Sequence, residues 1–224
     1  MQQHLMRRKR ICEQHLQTLG GITSALGEKD SYTRAHGHRV ALYAVRLARR
    51  LGLPAEDIRN IGIGGWFHDV GKLALSDHIL TNREAHLSGE LRQEVRCHPL
   101  IGAALLKHID FLGPAVDFVL FHHERKDGSG YPFGLKDGEI PPGAKIVSIA
   151  DCFDAVTTDR PYQKGQSIAS AFKILRDGCR RCFCEAYVEV FIEEIEENGI
   201  IRNTGPASLL VDQLVRSAAG YPDM

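Results

Sequence analysis

Apolar residues recur at helical spacing along most of this chain, and this periodicity constrains the fold more than any other feature of the sequence. Residues 34–52 carry one such apolar face, and Gly52 stands where a helix-terminating glycine is expected. Pro54, followed closely by two acidic residues, is typical of the first turn of the next helix. Further helices are predicted over 89–96, 99–108, 114–123, 144–157, 167–176, 185–197 and 207–218. Because alternating strand patterns are almost absent, we expect an all-α bundle.

Two irregular segments interrupt the predicted helices. Residues 74–88 are polar and show little periodicity, whereas residues 124–143 contain five glycines and three prolines. A long irregular loop inside a compact helical domain usually serves a function. Since the second loop begins directly after His122 and His123, we expect it at the rim of any site that these two residues form.

The chain is long enough for one domain with its own core and short appendages. We predict a basic amphipathic helix over 1–27, a central helical unit over 28–198 and a helical extension over 199–224. Apolar residues recur every seven positions in the first segment, but polar residues occupy the companion positions. A coiled coil that forms a homodimer and a helix packed on the bundle therefore both stay open.

Composition excludes several classes of protein. Lysine plus arginine equals aspartate plus glutamate at 28 each, so there is no sign of binding to polymeric nucleic acid. No apolar run approaches the ~18 residues of a membrane-spanning helix, and no signal-peptide core follows the basic amino terminus. The six cysteines suit a reducing compartment. We therefore expect a cytoplasmic protein without membrane insertion.

One cluster of cysteines resembles a metal clip. Cys179, Cys182 and Cys184 lie close together in the sequence. No second cysteine or histidine pair accompanies them to complete a tetrahedral zinc site. Ordinary thiols are therefore the favoured interpretation.

Histidine and aspartate residues spread over more than half of the chain carry the most specific chemistry. The candidates are His36, His68, Asp69, His98, His122, His123 and Asp151. Imidazole and carboxylate groups together suit a transition-metal ion that lowers the pKa of a bound water. A single histidine is more often a surface or core residue than a ligand, but adjacent pairs weaken that interpretation. Because seven ligands exceed what one ion needs, the sequence predicts more than one metal.

Cationic and aromatic residues near these candidates suggest a phosphate substrate. Lys72 lies one helical turn beyond His68, so both side chains can face one pocket. Asp154 lies one turn beyond the last candidate ligand, and Arg160 follows with a planar guanidinium suited to phosphate. Tyr131 could stack on a base. The residues alone therefore predict metal-assisted hydrolysis of a phosphate ester.

Short motifs follow one another in a fixed order between residue 30 and about residue 192. They are Asp30-Ser-Tyr32-Thr33 leading to His36, His68-Asp69-Val-Gly-Lys72, His98-Pro99, His122-His123-Glu124-Arg125, Asp127-Gly-Ser-Gly130-Tyr131-Pro132, Asp151-Cys-Phe-Asp154 and Thr158-Asp-Arg160-Pro-Tyr162. This ordered set resembles the HD-GYP family of cyclic di-GMP phosphodiesterases, a branch of the HD-domain metal phosphohydrolases. The resemblance implies an HD-domain-like helical bundle with a long Gly/Pro-rich GYP loop, and a catalytic domain over 28–198.

The resemblance also implies two divalent metal ions, iron or manganese. The first would be held by His36, His68, Asp69 and Asp151. The second would share Asp69 as a bridge and be held by His98, His122 and His123. A hydroxide between the ions would attack the phosphorus of cyclic di-GMP and release pGpG, GMP or both.

Other site residues are implied by the same resemblance. Lys72 and Arg160 would bind phosphate, and Asp154 would orient a histidine or a water. Tyr131 and Arg125 would contact the nucleotide. The loop at residues 130–132 (Gly-Tyr-Pro) is implicated in contact with a signalling protein partner.

The chain departs from the family pattern in three places. Tyr32 stands where some members have a glutamate that holds a third metal, so we predict a binuclear site. Residues 81–84 replace the usual Lys-Pro-Gly, and Gln163 replaces a basic residue, so substrate contacts at both places stay open. Alignment on Arg39 selects His36 as the ligand and makes His38 a neighbour or surface residue. The histidines at 4, 15, 78, 86 and 108 match no ligand position and are expected at the surface.

Two alternatives to cyclic di-GMP hydrolysis stay open. The same chemistry could act on another cyclic dinucleotide, such as cyclic GMP-AMP, because a few contacts to the base edges decide that specificity. The chain could instead be a weakly active signalling module that binds a nucleotide or a protein. The complete ligand set favours an enzyme, since buried ligands without a metal are costly to keep.

Overall fold

The structure, a computed structural model, describes residues 18, 19, 21, 22, 25, 31–76, 88–159, 164–201 and 213. Within these ranges the only strand pairing is one isolated antiparallel bridge, between Asp127 and Lys136. The α-helices with defined bounds are α1 (Ser31–Arg50), α2 (Ala55–Phe67), α3 (Gly89–Val95), α4 (His98–Leu106), α5 (Pro114–Phe121), α6 (Pro142–Thr157), α7 (Ile168–Gly178) and α8 (Glu185–Asn198). Short 3-10 helices span Val70–Ala74, Asp110–Leu112 and Asp137–Glu139. The all-α prediction is confirmed.

The helix ends follow the signals in the sequence closely. Helix α1 ends at Arg50, and Gly52 has a φ of +71°, the left-handed conformation that glycine adopts without strain. Pro114 and Pro142 each open a helix, where a missing backbone N–H costs nothing. The predicted helix at 207–218 lies outside the described residues apart from residue 213.

Helix α6 lies at the centre of the main core. Its apolar residues pack against α1, α2, α5 and α7, and Phe153 is fully buried. The Phe153 ring meets Tyr43 of α1 edge-on at 5.2 Å and Phe191 of α8 at 5.1 Å. These aromatic contacts join three helices and fix the orientation of the α6 face that carries Asp151 and Asp154.

Helix α2 is packed between α1 and α5 through two adjacent glycines. A Cβ atom at Gly65 would lie 3.0 Å from the Cα atom of Ala41 on α1. A Cβ atom at Gly64 would lie 2.8 Å from the Cβ atom of Phe118 on α5. Because neither glycine has a side chain, α2 can approach both neighbouring helices closely. This packing places the carboxyl end of α2 between α1 and α5.

A second cluster of apolar residues surrounds Trp66 and Phe67. Leu19, from the amino-terminal segment, is buried in this cluster, and Ile22 packs against it. At these two residues the contacts fit a helix packed on the bundle. The remaining residues of the predicted 1–27 segment, apart from 18, 21 and 25, lie outside the described part of the chain.

Gly71 makes the tightest contact near the end of α2. A Cβ atom at this position would overlap the carbonyl oxygen of His98 and the backbone nitrogen of Gly102. The turn after α2 and the first turn of α4 are therefore packed backbone against backbone. This contact holds the residues at the start of α4 beside those at the end of α2.

We expect Gly71→Ala to lower the free energy of unfolding by about 1–3 kcal/mol, because the added methyl group must push α4 away. Gly89→Ala is the matched control, since a Cβ atom there meets nothing within 4 Å. The control should leave stability unchanged or raise it by up to about 1 kcal/mol. Urea unfolding followed by circular dichroism measures both. Equal stability of the two variants would contradict this account of the packing.

Candidate metal centre

The seven candidate ligands come from five helices and meet at one place. His36 lies on α1 and Asp151 on α6, while His68 and Asp69 follow directly after α2. His98 opens α4, and His122 and His123 follow directly after α5. All of these side chains are buried or half-buried.

The first group consists of His36, His68, Asp69 and Asp151. The His36 Nε2 atom lies 3.0 Å from Asp151 Oδ1 and 4.0 Å from Asp69 Oδ2. The His68 Nε2 atom lies 3.7 Å from Asp151 Oδ1 and 3.4 Å from Asp69 Oδ2. The ligand atoms of His36, His68 and Asp69 lie close enough together to hold a metal ion, and Asp151 borders them through its contacts with both histidines.

The second group consists of His98, His122 and His123, whose ligand atoms all lie within 4.8 Å of one another. The His98 Nε2 atom lies 3.3 Å from His122 Nε2 and 3.3 Å from Asp69 Oδ1. Asp69 thus directs Oδ2 towards the first group and Oδ1 towards the second. Its carboxylate is the one element that the two groups share.

Hydrogen bonds to the backbone set the tautomers of three of these histidines. The Nδ1–H groups of His68, His98 and His122 donate to the carbonyl oxygens of Gly65, Val95 and Val119, each at 2.7 Å. A carbonyl oxygen can only accept, so the proton of each neutral ring is on Nδ1. The Nε2 lone pairs therefore point into the centre, which is the arrangement that metal-binding histidines show.

The histidines of the second group are neutral at physiological pH. Burial lowers the pKa of His98 to about 4 and that of His123 to about 3. Burial, followed by the charge of His123, also holds the pKa of His122 well below its usual value. The Nε2 atoms of His98 and His122 consequently face each other across 3.3 Å without a proton between them. A cation between these lone pairs would remove their repulsion, so the residues fit a metal ion.

The buried Nε2 atom of His68 points to the same conclusion. This atom has no hydrogen-bond partner among the described residues. A buried polar atom without a partner is costly to a fold and usually marks a bound group. A metal ion in the first group would supply that partner.

Asp154 and Arg39 hold His36 from the side opposite the centre. Asp154 Oδ2 accepts a hydrogen bond from His36 Nδ1 at 2.7 Å. Arg39 Nε and Nη2 donate to the two oxygens of the same carboxylate at 2.6 and 2.9 Å. Asp154 therefore contacts a histidine directly, while its role in orienting that histidine stays a prediction. The contact of Arg39 with Asp154 was not predicted from the sequence. The one signal for this contact in the sequence is that Arg39 lies one helical turn after His36, on the same face of the helix.

His36 differs from the second group in its charge. Burial opposes the charged form, but the hydrogen bonds to Asp151 and Asp154 outweigh it and raise the pKa of His36 to about 9. The metal-free protein therefore keeps a proton on Nε2 of His36 at neutral pH, where that atom faces Asp151.

Lys72 lies directly beside Asp69. Its Nζ atom is 2.6 Å from Asp69 Oδ2. Burial alone would raise the pKa of Asp69, but the charge of Lys72 holds it well below its usual range. Asp69 is thus a carboxylate in the folded protein, with a cation at one of its oxygens.

The glycine-rich loop folds back over the second group. Tyr131 N–H donates to the carbonyl oxygen of His123 at 3.2 Å, and the two rings lie 4.7 Å apart between centroids. Glu124, which is buried, accepts hydrogen bonds from the backbone N–H groups of Phe133 at 2.7 Å and Leu135 at 2.9 Å. Glu124 therefore ties both arms of the loop together, a part that its place in a sequence motif did not reveal.

The other predicted residues are distributed as follows. Arg125 is exposed, at the beginning of the loop. His108 is exposed, as predicted, while His38 is only 1% exposed and its ring meets Trp66 edge-on at 5.1 Å. The surface alternative for His38 was wrong, because position 38 faces α2. Neither of the two possible metal groups among the described residues includes a cysteine.

Several predictions fall on residues that the structure does not describe. They concern Arg160, Gln163, residues 81–84, the side chain of Tyr32 and the histidines at 4, 15, 78 and 86. These predictions stay as they were. Within the described ranges, no helix combines the length and the apolar character that crossing a membrane requires.

Comparison with known proteins places this chain in a family. The chain matches the family described as HD domain over residues 8–183. It is 41% identical over 151 residues to a cyclic di-GMP phosphodiesterase of Pseudomonas aeruginosa, an alignment that covers 66% of this chain and 36% of that protein. It is 31% identical over 159 residues to the 3'3'-cGAMP-specific phosphodiesterase 1 of Vibrio cholerae, covering 69% of this chain and 36% of the relative. The chain thus spans about a third of the length of each relative.

A solved structure supports the same fold. The chain resembles an HDG"Y"P protein of Bdellovibrio bacteriovorus with a TM-score of 0.62. The match covers 75% of this chain and 53% of that one, at 23% sequence identity. At this identity the likeness concerns the arrangement of the helices alone.

The two groups should bind metal with different dependence on pH. A metal at the first group must displace the proton of His36, so its affinity should fall about tenfold for each pH unit below 9. Affinity at the second group should stay nearly constant down to about pH 4, because His98 and His123 are already neutral. Manganese titrations at pH 6.5, 7.5 and 8.5 with a competing chelator measure both. Parallel pH dependence of the two affinities would contradict the difference between the groups.

Proposed function

Because this chain belongs to the HD domain family, we propose that it is a metal-dependent phosphodiesterase that hydrolyses cyclic di-GMP to pGpG, GMP or both. One observation carries the proposal: one histidine from each group, His68 and His98, directs its Nε2 atom at a different oxygen of Asp69, at 3.4 and 3.3 Å. This arrangement suits two cations that share a carboxylate. The ordered HD-GYP motifs and the similarity to cyclic di-GMP phosphodiesterases supply the substrate class.

We propose two divalent ions, iron or manganese. The first would be held by His36, His68, Asp69 and Asp151, and the second by Asp69, His98, His122 and His123. Such ions supply Lewis acidity, which lowers the pKa of water and neutralises charge on the phosphate. A mixture of imidazole and carboxylate ligands is compatible with both metals.

The surrounding residues would position the substrate. Lys72 lies at the edge of the centre with its side chain partly exposed, so its ammonium group can turn from Asp69 to a phosphate oxygen. Tyr131 packs on His123 and would form one wall of the nucleotide site. Arg125, at the start of the same loop, would contact the nucleotide from the outside. We also propose a phosphate contact for Arg160, which rests on the sequence alone.

Asp154 would act without touching the substrate. It accepts the Nδ1 proton of His36 and is itself held by Arg39. These contacts fix the ring plane of His36 and keep its Nε2 atom directed at the centre. Asp154 is therefore proposed as a positioning residue for the first group.

Cyclic GMP-AMP is the second candidate substrate. The similarity to a 3'3'-cGAMP-specific enzyme favours it, although the identity of 31% is lower than the 41% to the cyclic di-GMP enzyme. The two dinucleotides differ in the edge of one base, whereas both present the same phosphodiester to the metal centre. A competition assay with equal concentrations of the two substrates ranks them directly.

The loop at residues 130–132 would provide contact with a signalling partner. The adjacent Phe133 exposes 59% of its surface, which is unusual for a phenylalanine and suits a protein contact. A binding module without turnover is the alternative to the enzyme. The seven buried or half-buried candidate ligands weigh against a binding module without metal, because burying so many polar groups without a metal lowers the stability of the fold.

Asp69→Ala should reduce the hydrolysis of cyclic di-GMP at least about a hundredfold, because both ions lose a ligand. The protein is purified anaerobically and loaded with iron or manganese, and loss of cyclic di-GMP is followed by chromatography. Asp57→Ala is the control, since Asp57 is an exposed aspartate in the first turn of α2. Tight binding of cyclic di-GMP by wild-type protein without turnover would contradict the proposed enzyme and favour the binding module.

A further inference from the structure

The guanidinium of Arg96 reaches the edge of the proposed site from outside the seven candidate ligands. Arg96 follows α3 directly and precedes His98 by two residues. Its Cζ atom lies 4.8 Å from the centre of the Tyr131 ring. That ring lies 4.7 Å from His123 and 6.5 Å from His98 between centroids. Arg96 is therefore separated from the second histidine group by a single aromatic ring.

The charge of Arg96 is available to a ligand. The residue is exposed, and no described carboxylate forms an ion pair with it. By contrast, several other arginines of the described chain are paired with carboxylates. They are Arg39, Arg46, Arg50, Arg59, Arg176 and Arg181. A guanidinium that lies over a ring through a cation–π contact keeps its N–H groups free to donate.

The charge of the proposed substrate favours a cation at this position. A cyclic dinucleotide contains two phosphodiesters, and only one can lie at the metal centre at a time. Lys72, beside Asp69, is close to the phosphate that is cleaved. The other phosphate keeps its negative charge and must lie nearby, because both belong to one small ring. Arg96, on the outer side of the Tyr131 contact, is placed to meet it.

We propose that Arg96 is a substrate-binding residue that donates hydrogen bonds to the phosphate that is not cleaved. This inference rests on the proposed function, since a substrate with one phosphate would gain nothing from it. The Tyr131 ring holds the guanidinium in place before the substrate arrives, which reduces the entropy lost on binding. Arg96 thus selects dinucleotides over simple phosphodiesters.

The test compares two substrates that differ in their number of phosphates. Arg96→Met keeps an apolar side chain against Tyr131 but removes the charge. For cyclic di-GMP we expect kcat/KM to fall about 10–100-fold, mainly through KM. For bis(p-nitrophenyl) phosphate, which has one phosphate, kcat/KM should change less than about twofold. Arg96→Lys should recover part of the loss, since it restores the charge without the planar group.

Arg92→Met is the matched control, because Arg92 is exposed one turn earlier on α3. It should leave the kinetics on both substrates unchanged. An equal loss on both substrates in Arg96→Met would overturn the inference, because the charge of Arg96 would then affect catalysis without contacting a second phosphate. Unchanged kinetics of Arg96→Met on cyclic di-GMP would overturn it as well. Wild-type protein that cleaves the simple diester but never cyclic di-GMP would overturn the proposed function, and this inference with it.

Discussion

The carboxylate of Asp69 is the contact on which the organisation of this centre depends. One oxygen lies 3.4 Å from His68 Nε2 and the other 3.3 Å from His98 Nε2. The position of Asp69 follows from the packing of α2, which two glycines allow to approach α1 and α5 closely. Gly71 then brings the first turn of α4 against the same segment. The fold therefore places residues from five helices around one buried carboxylate.

Electrostatics divides the centre into two unlike halves. The second group is made of neutral imidazoles whose lone pairs face each other. The first group contains carboxylates that are balanced by a proton on His36 and by the ammonium group of Lys72. The proton of His36 and the ammonium group of Lys72 both lie beside the carboxylates, where a bound metal ion would provide the positive charge instead. We infer that metal binding replaces them, releasing a proton from His36 and freeing Lys72 for phosphate.

The sequence predicted the helical fold and the family, and both predictions are confirmed. They could be made because helical periodicity and short motifs can be read directly from the chain. The structure brings the seven candidate ligands together, while their role as metal ligands stays a prediction. The supporting contacts could not be predicted in the same way. Arg39 meets Asp154 across 115 positions, and Arg96 meets Tyr131 only because the loop folds back over His123. The burial of His38 likewise depends on which face of α1 packs against α2.

Anomalous diffraction from crystals of the manganese-loaded protein tests the central claim most directly. We predict two peaks, one on each side of Asp69. One should be coordinated by His36, His68 and Asp151, and the other by His98, His122 and His123, with one oxygen of Asp69 on each. A single ion, or two ions with Asp69 bound to only one of them, would contradict this prediction.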